Sequence, residues 1–361
     1  MYGSPSYIPK FQSTPGYVGC WLLCMYICSH TDLSFNRYII RISLYTYAGV
    51  LCAISPLSAT MSPLLLLLPA SLLAEEVVLI TGGYNGSNYL STNEVLGSPS
   101  CQVPNFPGGV FSSPHYGHST ALTSSGLLLT CGGILQPRTC LVLDPVTGTW
   151  EKHSTLDQSR ISSTPLNLPQ GLFLIGDDLY DETTSSFLAN GATEWVAGPK
   201  IPGTGATGAC AVPTSETSFL VAGGRGSPSQ VVEYHTDSDT WTQWPDLVQP
   251  RKLLFCAKVG EELLIAGGEV DTSTTIMDLV TGEQRPGGDM TTARGDYFRM
   301  VVVNDKVLAV GGDDGKDYLT SVEEWEPEME SWVAREDMEM ETARYSFGAA
   351  AVPNHLVCRS E

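Results

Sequence analysis

The sequence predicts an all-β protein built from six repeated units, on the basis of a recurrent glycine pair, its spacing and the composition. Five short apolar segments end in two glycines, and a sixth copy ends in Gly176-Asp177. The five pairs are Gly82-Gly83, Gly132-Gly133, Gly223-Gly224, Gly267-Gly268 and Gly311-Gly312. Successive copies lie 44 to 50 residues apart, a period typical of propellers and solenoids. The 36 glycines and 23 prolines fit many short strands separated by turns.

One unit, residues 207–244, shows how each repeat is organised. Four short segments are separated by turn residues and are predicted to be strands, at 207–212, 218–222, 231–235 and 240–244. The second strand ends at Gly223-Gly224, because glycine accepts a positive φ at no steric cost. Four antiparallel strands in one unit describe a propeller blade.

The two outer strands repeat with a fixed step of seven residues. In four units, an apolar or aromatic residue is followed seven positions later by a tryptophan. The pairs are Leu143 and Trp150, Leu188 and Trp195, Tyr234 and Trp241, and Trp325 and Trp332. In the fifth unit, Met277 and Gln284 take these positions. The step predicts a tight hairpin whose apolar side packs against the neighbouring blade.

This combination of patterns resembles the kelch repeat and covers residues 75–361. The resemblance implies a six-bladed kelch β-propeller, with four antiparallel strands per blade around a central channel. The chain departs from the pattern at Gly176-Asp177, at Gln284, and in its first unit, which has no tryptophan.

The way in which the ring closes is also predicted. The first unit begins with a Gly-Gly strand and therefore lacks its inner strand. Residues 342–353 begin with the same Thr-Ala-Arg as the segment at Thr292, which leads into an inner strand. We therefore expect the C-terminal strand to complete the first blade, which hides both sheet edges.

The first 74 residues lie outside the repeats. Residues 1–60 are a non-repeat extension that an over-extended gene model would explain. Residues 61–74 are apolar, end in small residues and resemble a secretory signal peptide that starts at Met61. A secreted propeller is therefore expected.

An uncleaved membrane anchor is the alternative, with the propeller outside. Arg37 and Arg41 precede the uncharged stretch 42–74, as in a signal anchor. A continuous spanning helix is opposed by three prolines, Pro56, Pro63 and Pro69.

The repeat region is strongly acidic. It contains 16 basic and 38 acidic residues, a net charge of −22, and the whole chain carries −20. Such a surface repels nucleic acid and anionic lipid, so neither is expected as a partner. Two interpretations remain open, namely solubility and attraction of a basic partner.

The repeats hold an even number of cysteines, which suits an oxidising compartment. They are Cys101, Cys131, Cys140, Cys210, Cys256 and Cys358. Cys131 and Cys140 lie on neighbouring strands of one hairpin, within disulfide reach. Cys101 and Cys358 are placed to meet where the chain ends join. Cys210 and Cys256 occupy equivalent places in successive units and are expected to be buried free thiols.

Four arginines precede inner strands at equivalent positions, namely Arg160, Arg251, Arg294 and Arg344. Because inner-strand starts surround one mouth of the channel, four guanidinium groups there would attract a carboxylate or phosphate ligand. The alternative is that each arginine donates hydrogen bonds to carbonyl groups between blades, since the kelch pattern itself carries this residue.

Three smaller motifs lie in the turns and at the strand starts. His115 and His118 form a His-x-x-His and are interpreted as polar residues at an inner-strand start. Residues Asp313–Asp317 resemble a calcium loop but fail its alternating pattern, so they are interpreted as a turn. Asn85 begins a glycosylation sequon in a glycine-rich turn. No metal or cofactor is expected.

The sequence contains no Gly-x-Ser-x-Gly nucleophile motif. The leading prediction is a non-catalytic propeller that binds a protein or small ligand, in particular a basic one. The first alternative is a propeller enzyme that acts on sugars, of the oxidase or sialic-acid isomerase type. The second is a substrate adaptor of ubiquitin ligases that lacks the helical dimerisation domain of that class.

Overall fold

The chain divides into two units, Met1–Ala70 and Ser71–Glu361, in a computed structural model. In the first unit, strands β1 (Leu51–Cys52) and β2 (Leu65–Leu66) pair antiparallel. The rest of the predicted leader lies outside the described residues. No helix within those residues is both long enough and apolar enough to cross a bilayer. The structure describes residues 51–52, 65–66, 75–97, 111, 113–176, 183–203, 205–268, 271–295 and 297–358.

Six antiparallel sheets, blades 1 to 6, form the second unit. Blade 1 contains β3 (Glu76–Thr81) and β4 (Asn93–Leu96). Blade 2 contains β5 (His118–Leu122), β6 (Leu128–Gly132), β7 (Thr139–Asp144) and β8 (Thr149–Thr155). Blade 3 contains β9 (Thr164–Leu168), β10 (Gly171–Ile175), β11 (Ser185–Ala189) and β12 (Val196–Ala197). Blade 4 contains β13 (Cys210–Ser215), β14 (Ser218–Ala222), β15 (Val231–His235) and β16 (Thr240–Gln243). Blade 5 contains β17 (Phe255–Val259), β18 (Glu262–Ala266), β19 (Thr274–Asp278) and β20 (Gln284–Pro286). Blade 6 contains β21 (Arg299–Val303), β22 (Lys306–Val310), β23 (Val322–Glu326) and β24 (Ser331–Ala334), followed by a 3₁₀ turn at Glu336–Met338.

The last strand, β25 (Gly348–Pro353), belongs to blade 1 and pairs with β3 along its whole length. It takes the inner position, so the prediction that the C-terminal strand closes the first blade is confirmed. Within the described residues, blade 1 has three strands. A short helix, α1 (Asn354–Val357), follows β25 and buries Val357 against the interface of blades 1 and 2.

The six blades form a closed ring. Each inner strand lies beside the inner strands of both neighbouring blades, in the cyclic order β25, β5, β9, β13, β17 and β21. Because both faces of each blade are covered, the second strands are buried at nearly every residue and have continuous apolar sequences. Six apolar clusters fill the spaces between adjacent blades.

The seven-residue step corresponds to direct pairing across the outer hairpin. Trp150 lies opposite Leu143, and in blade 5 Gln284 lies opposite Met277. The indole of Trp332 donates a hydrogen bond of 2.9 Å to the hydroxyl of Thr274 in blade 5. The outer hairpins therefore pack against the preceding blade, as the periodicity predicts.

The glycine pairs are required by backbone conformation and by close approach. Gly311 and Gly312 have φ values of 58° and 92°, which side chains rarely adopt. A Cβ atom at Gly311 would lie 3.0 Å from the carbonyl oxygen of Arg344 and 2.8 Å from the Phe347 ring. Each pair thus lets a second strand end directly against the segment that begins the next blade.

Candidate functional site

The four predicted arginines lie buried between blades. Each guanidinium donates a hydrogen bond to the carbonyl of the glycine that ends the second strand of its own blade. These bonds run from Arg160 to Gly176 at 3.2 Å, from Arg251 to Gly267 at 2.8 Å, from Arg294 to Gly311 at 2.8 Å and from Arg344 to Gly82 at 2.7 Å. The main-chain carbonyl oxygens of Arg160 and Arg251 accept bonds from Gly133 and Gly224 of the preceding blade. Each of these two residues therefore joins two blades.

This geometry corrects the expectation of a guanidinium ring that binds a ligand at a channel mouth. The side chains of Arg160, Arg294 and Arg344 are fully buried, and they donate hydrogen bonds to carbonyl, hydroxyl and carboxylate groups of the protein. A ligand would have to displace those partners. Carbonyl groups do accept guanidinium bonds, but they belong to each arginine's own blade, and the main-chain carbonyls of Arg160 and Arg251 provide links between blades.

The two histidines make structural contacts. The Nε2 atom of His118 lies 2.9 Å from the hydroxyl of Thr81 and accepts a 3.2 Å hydrogen bond from the amide of Gly348. The Nδ1 atom of His115 lies 2.9 Å from the carbonyl oxygen of Ser113. Within the part of the chain that the structure describes, no three His, Cys, Asp or Glu side chains are placed to hold a metal ion.

His118 predicts a loss of stability at acidic pH. Its burial lowers its pKa well below the usual value, helped by the charges of His115 and Arg299. The unfolded chain takes up this proton near pH 6.5, whereas the folded protein resists it. The free energy of unfolding should therefore decrease as the pH falls below about 6.5. Urea titrations at several pH values check this, and His118→Gln should show a weaker pH dependence. An unchanged dependence would contradict it.

The acidic loop and the sequon both form local turns. The Oδ1 atom of Asp314 accepts hydrogen bonds from the amides of Lys316 and Asp317, at 2.9 and 2.8 Å. The Oδ1 atom of Asn85 accepts bonds from the amides of Ser87 and Asn88, at 3.0 and 2.8 Å. Glycosylation of Asn85 stays a prediction.

The cysteines form more links than expected. Cys131 and Cys140 lie opposite each other on β6 and β7 and form a disulfide, with 4.1 Å between their Cα atoms. Cys210 and Cys256, expected to be free thiols, form a second disulfide, with a Cα distance of 5.6 Å. That expectation is wrong because the inner strands of adjacent blades converge at the channel.

The second expected pair, Cys101 with Cys358, is only partly described. Cys358 is disulfide-bonded. Cys101, its predicted partner, lies outside the described residues.

Six tyrosines meet at one end of blades 6, 1 and 2, where the glycine turns and the starts of the inner strands lie. This group, named the tyrosine face, consists of Tyr84, Tyr89, Tyr116, Tyr297, Tyr318 and Tyr345. All six are at least partly accessible to solvent, and Tyr89 is 47% exposed. The pattern of glycines and tryptophans that builds each blade does not include these six tyrosines. Their rings are therefore candidates for binding a ligand.

The tyrosine face is held in a defined arrangement. The rings of Tyr318 and Tyr345 stack with their planes 4° apart and their centroids separated by 4.8 Å. The edge of Tyr84 meets Tyr345, and the backbones of these two residues exchange hydrogen bonds of 3.0 and 3.1 Å. The hydroxyl of Tyr116 donates to that of Tyr345 at 3.1 Å. Burial and this bond raise the pKa of Tyr116 far above its usual value, so its hydroxyl stays protonated.

The surroundings of the tyrosine face differ on its two sides. Ile134 and Leu135 are about half exposed, at 46% and 47%, and the amide of Ile134 donates to the carbonyl of Tyr116. Near Tyr318 lies the acidic turn, and Asp313 pairs with Tyr318 in an isolated β-bridge. The face therefore offers aromatic rings flanked by apolar side chains and by carboxylates.

Sequence reasoning did not identify the tyrosine face, although one signal for part of it was present. Tyr116 follows His115 and Tyr345 follows Arg344, and these two positions are equivalent in adjacent blades. The repeat register could therefore have placed these two tyrosines side by side. The other four lie in loops whose contacts depend on the folded ring.

Comparisons with known proteins agree with this architecture. A family model described as the Kelch motif matches residues 294–339. An F-box/kelch-repeat protein from Arabidopsis thaliana is 34% identical over 88 residues, which is 24% of this chain and 33% of that protein. Alpha-scruin from Limulus polyphemus is 29% identical over 116 residues, which is 29% of this chain and 12% of alpha-scruin. The chain thus spans a third or less of the length of these relatives.

Proposed function

Because the chain belongs to the kelch-repeat β-propeller family, we propose that it is a non-catalytic module that binds a partner protein through the tyrosine face. The observation that carries this proposal is the concentration of six tyrosines, all at least partly accessible to solvent, at one end of three adjacent blades. Tyrosine is enriched at the energetically important centres of interfaces, because its ring buries a large area and its hydroxyl still finds a partner.

The partner segment that fits this face is basic. Aromatic rings attract Lys and Arg through cation–π contacts, and nearby carboxylates add to the attraction. The acidic turn beside Tyr318 contains Asp313, Asp314 and Asp317 against one Lys316. The net charge of −20 steers a positively charged partner toward the protein and speeds its association.

Alanine substitution on the tyrosine face tests the proposal. A peptide selected from a random library against the immobilised propeller is titrated by fluorescence anisotropy. We expect selected peptides to be rich in Lys and Arg, and Tyr318→Ala to weaken binding at least tenfold, about 1.4 kcal/mol. Met329→Ala is the control, because Met329 is 65% exposed in the outer turn of blade 6. Equal affinity of the selected peptides for Tyr318→Ala and Met329→Ala would contradict the proposed site.

The finer proposal is that this module is secreted. The two disulfides within the described repeats support it, since such bonds persist in oxidising compartments. The N-terminus of the mature protein tests it. A start near Glu75 in protein recovered from culture medium supports secretion, and a cell-associated protein that retains residues 1–74 contradicts it.

A further inference from the structure

A second candidate binding site lies inside the central channel, and its wall includes Tyr297 of the tyrosine face but none of the other five tyrosines. A cavity of about 120 Å³ is lined by residues from the inner strands of all six blades. One residue from each strand is Ser119, Thr164, Cys210, Phe255, Arg299 and Ala349. Among the residues that line this cavity, Arg299 is the one that carries a charge.

Arg299 is held differently from the four arginines between blades. It begins β21, and its guanidinium lies 4.9 Å from the centroid of the Phe255 ring and 5.8 Å from that of Phe347. Within the described residues, one hydrogen bond ties it to the protein, from Nη1 to the carbonyl oxygen of Phe298 at 3.1 Å. Among the described residues, no carboxylate forms an ion pair with it. The two aromatic neighbours hold the guanidinium in place, and in the part of the chain that the structure describes, most of its N–H donors have no hydrogen-bond acceptor.

A second group in the same cavity wall also lacks a partner. Ser163 is 5% exposed, and its hydroxyl makes no hydrogen bond within the described part of the chain. The neighbouring Ser119 hydroxyl donates to the carbonyl of Ser163. A buried hydroxyl without a partner is unfavourable, and a guanidinium partly shielded from bulk water gains from an anion placed against it.

We propose that the channel binds a small free oxyanion, of the size of phosphate, sulfate or acetate. Arg299 supplies the countercharge and Ser163 a hydrogen bond. Charge-assisted bonds from a guanidinium to an oxyanion are strong, and more so in a site shielded from bulk water. Burial lowers the pKa of Arg299 to about 10, so the side chain remains charged at neutral pH. The acidic exterior does not prevent binding, because salt screens exposed charges beyond about 10 Å.

Calorimetric titration of the purified propeller with inorganic phosphate tests this site, with sodium chloride at matched ionic strength as the blank. We expect wild-type protein to bind one phosphate per chain, and Arg299→Met to bind at least a hundredfold more weakly. Methionine keeps an apolar chain between Phe255 and Phe347 while it removes the charge. Ser163→Ala should weaken binding several-fold. Arg285→Met is the matched control, because it removes an exposed arginine from a surface ion pair.

The outcomes separate this site from the tyrosine face. Tyr318→Ala should leave phosphate binding unchanged, and Arg299→Met should leave peptide binding unchanged. Circular dichroism of each variant establishes that it is folded before titration. Absence of phosphate binding by the wild-type protein, or equal binding by Arg299→Met, would overturn the channel site and would leave the peptide result unaffected.

Discussion

Replacing Arg344 with alanine is expected to lower the free energy of unfolding by about 3–5 kcal/mol, because the change leaves a buried carboxylate without its countercharge. Arg344 is fully buried and pairs with Glu94. It also donates to the carbonyls of Gly82 and Thr92, at 2.7 and 3.2 Å. These contacts connect the segment that precedes the closing strand to the first blade, so their loss weakens the closure of the ring.

Urea unfolding measures this effect, and two further variants make it decisive. Arg285→Ala removes an arginine that is 42% exposed and pairs with Glu262 and Glu330, so it should cost less than about 1 kcal/mol. Replacing both members of the buried pair, with Arg344→Met and Glu94→Leu, should cost less than Arg344→Ala alone. A loss below about 1 kcal/mol for Arg344→Ala would show that the buried pair does not hold the closure.

Removing the Cys210–Cys256 disulfide is expected to cost about 4 kcal/mol, and removing Cys131–Cys140 about 2.5 kcal/mol. The first bond joins residues 46 positions apart on two blades, and the second joins residues 9 apart in one hairpin. A longer closed loop removes more conformational entropy from the unfolded chain, which is the reason for the difference.

The comparison uses two double variants, Cys210→Ala with Cys256→Ala and Cys131→Ala with Cys140→Ala, unfolded without reductant. All four side chains are small. Three of them are buried and Cys256 is partly buried, so the loss of packing is similar in both variants. The interblade variant should unfold at the lower urea concentration. The reverse order would refute the loop-length explanation and assign the stabilisation to local packing.

The fold could be predicted because its main determinants are local. A positive φ at the glycine that ends the second strand, as at Gly311, recurs in every blade, and the tryptophan of the outer hairpin, as at Trp332, recurs in four of them, so both appear at a fixed spacing. The closing strand was identifiable for the same reason, since Arg344 stands where Arg294 stands in the preceding blade. Positions in the repeat are therefore readable from the sequence alone.

Contacts between blades were much less readable. Gly208 and Leu253 occupy the same place in successive blades, and both have a positive φ. Cys210 lies two residues after Gly208, whereas Cys256 lies three residues after Leu253. The two cysteines are thus offset by one residue, and only the convergence of adjacent inner strands brings them together. The repeat also predicted the position of Arg160, but not that its guanidinium bonds to Thr184 and Ser186 of its own blade. The tyrosine face depends on three blades at once.

The closing strand has a consequence for the synthesis of the protein. Strand β3 is among the first parts of the propeller to leave the ribosome, and its inner partner is the last. The hydroxyl of Thr81 and the carbonyl of Gly348 that accepts its bond are 267 residues apart. At about 5–20 residues per second, the nascent chain exposes an unpaired strand edge for roughly 13–53 seconds. Such an edge is open to pairing with other chains. Rapid translation and early chaperone binding should therefore favour the yield of closed rings.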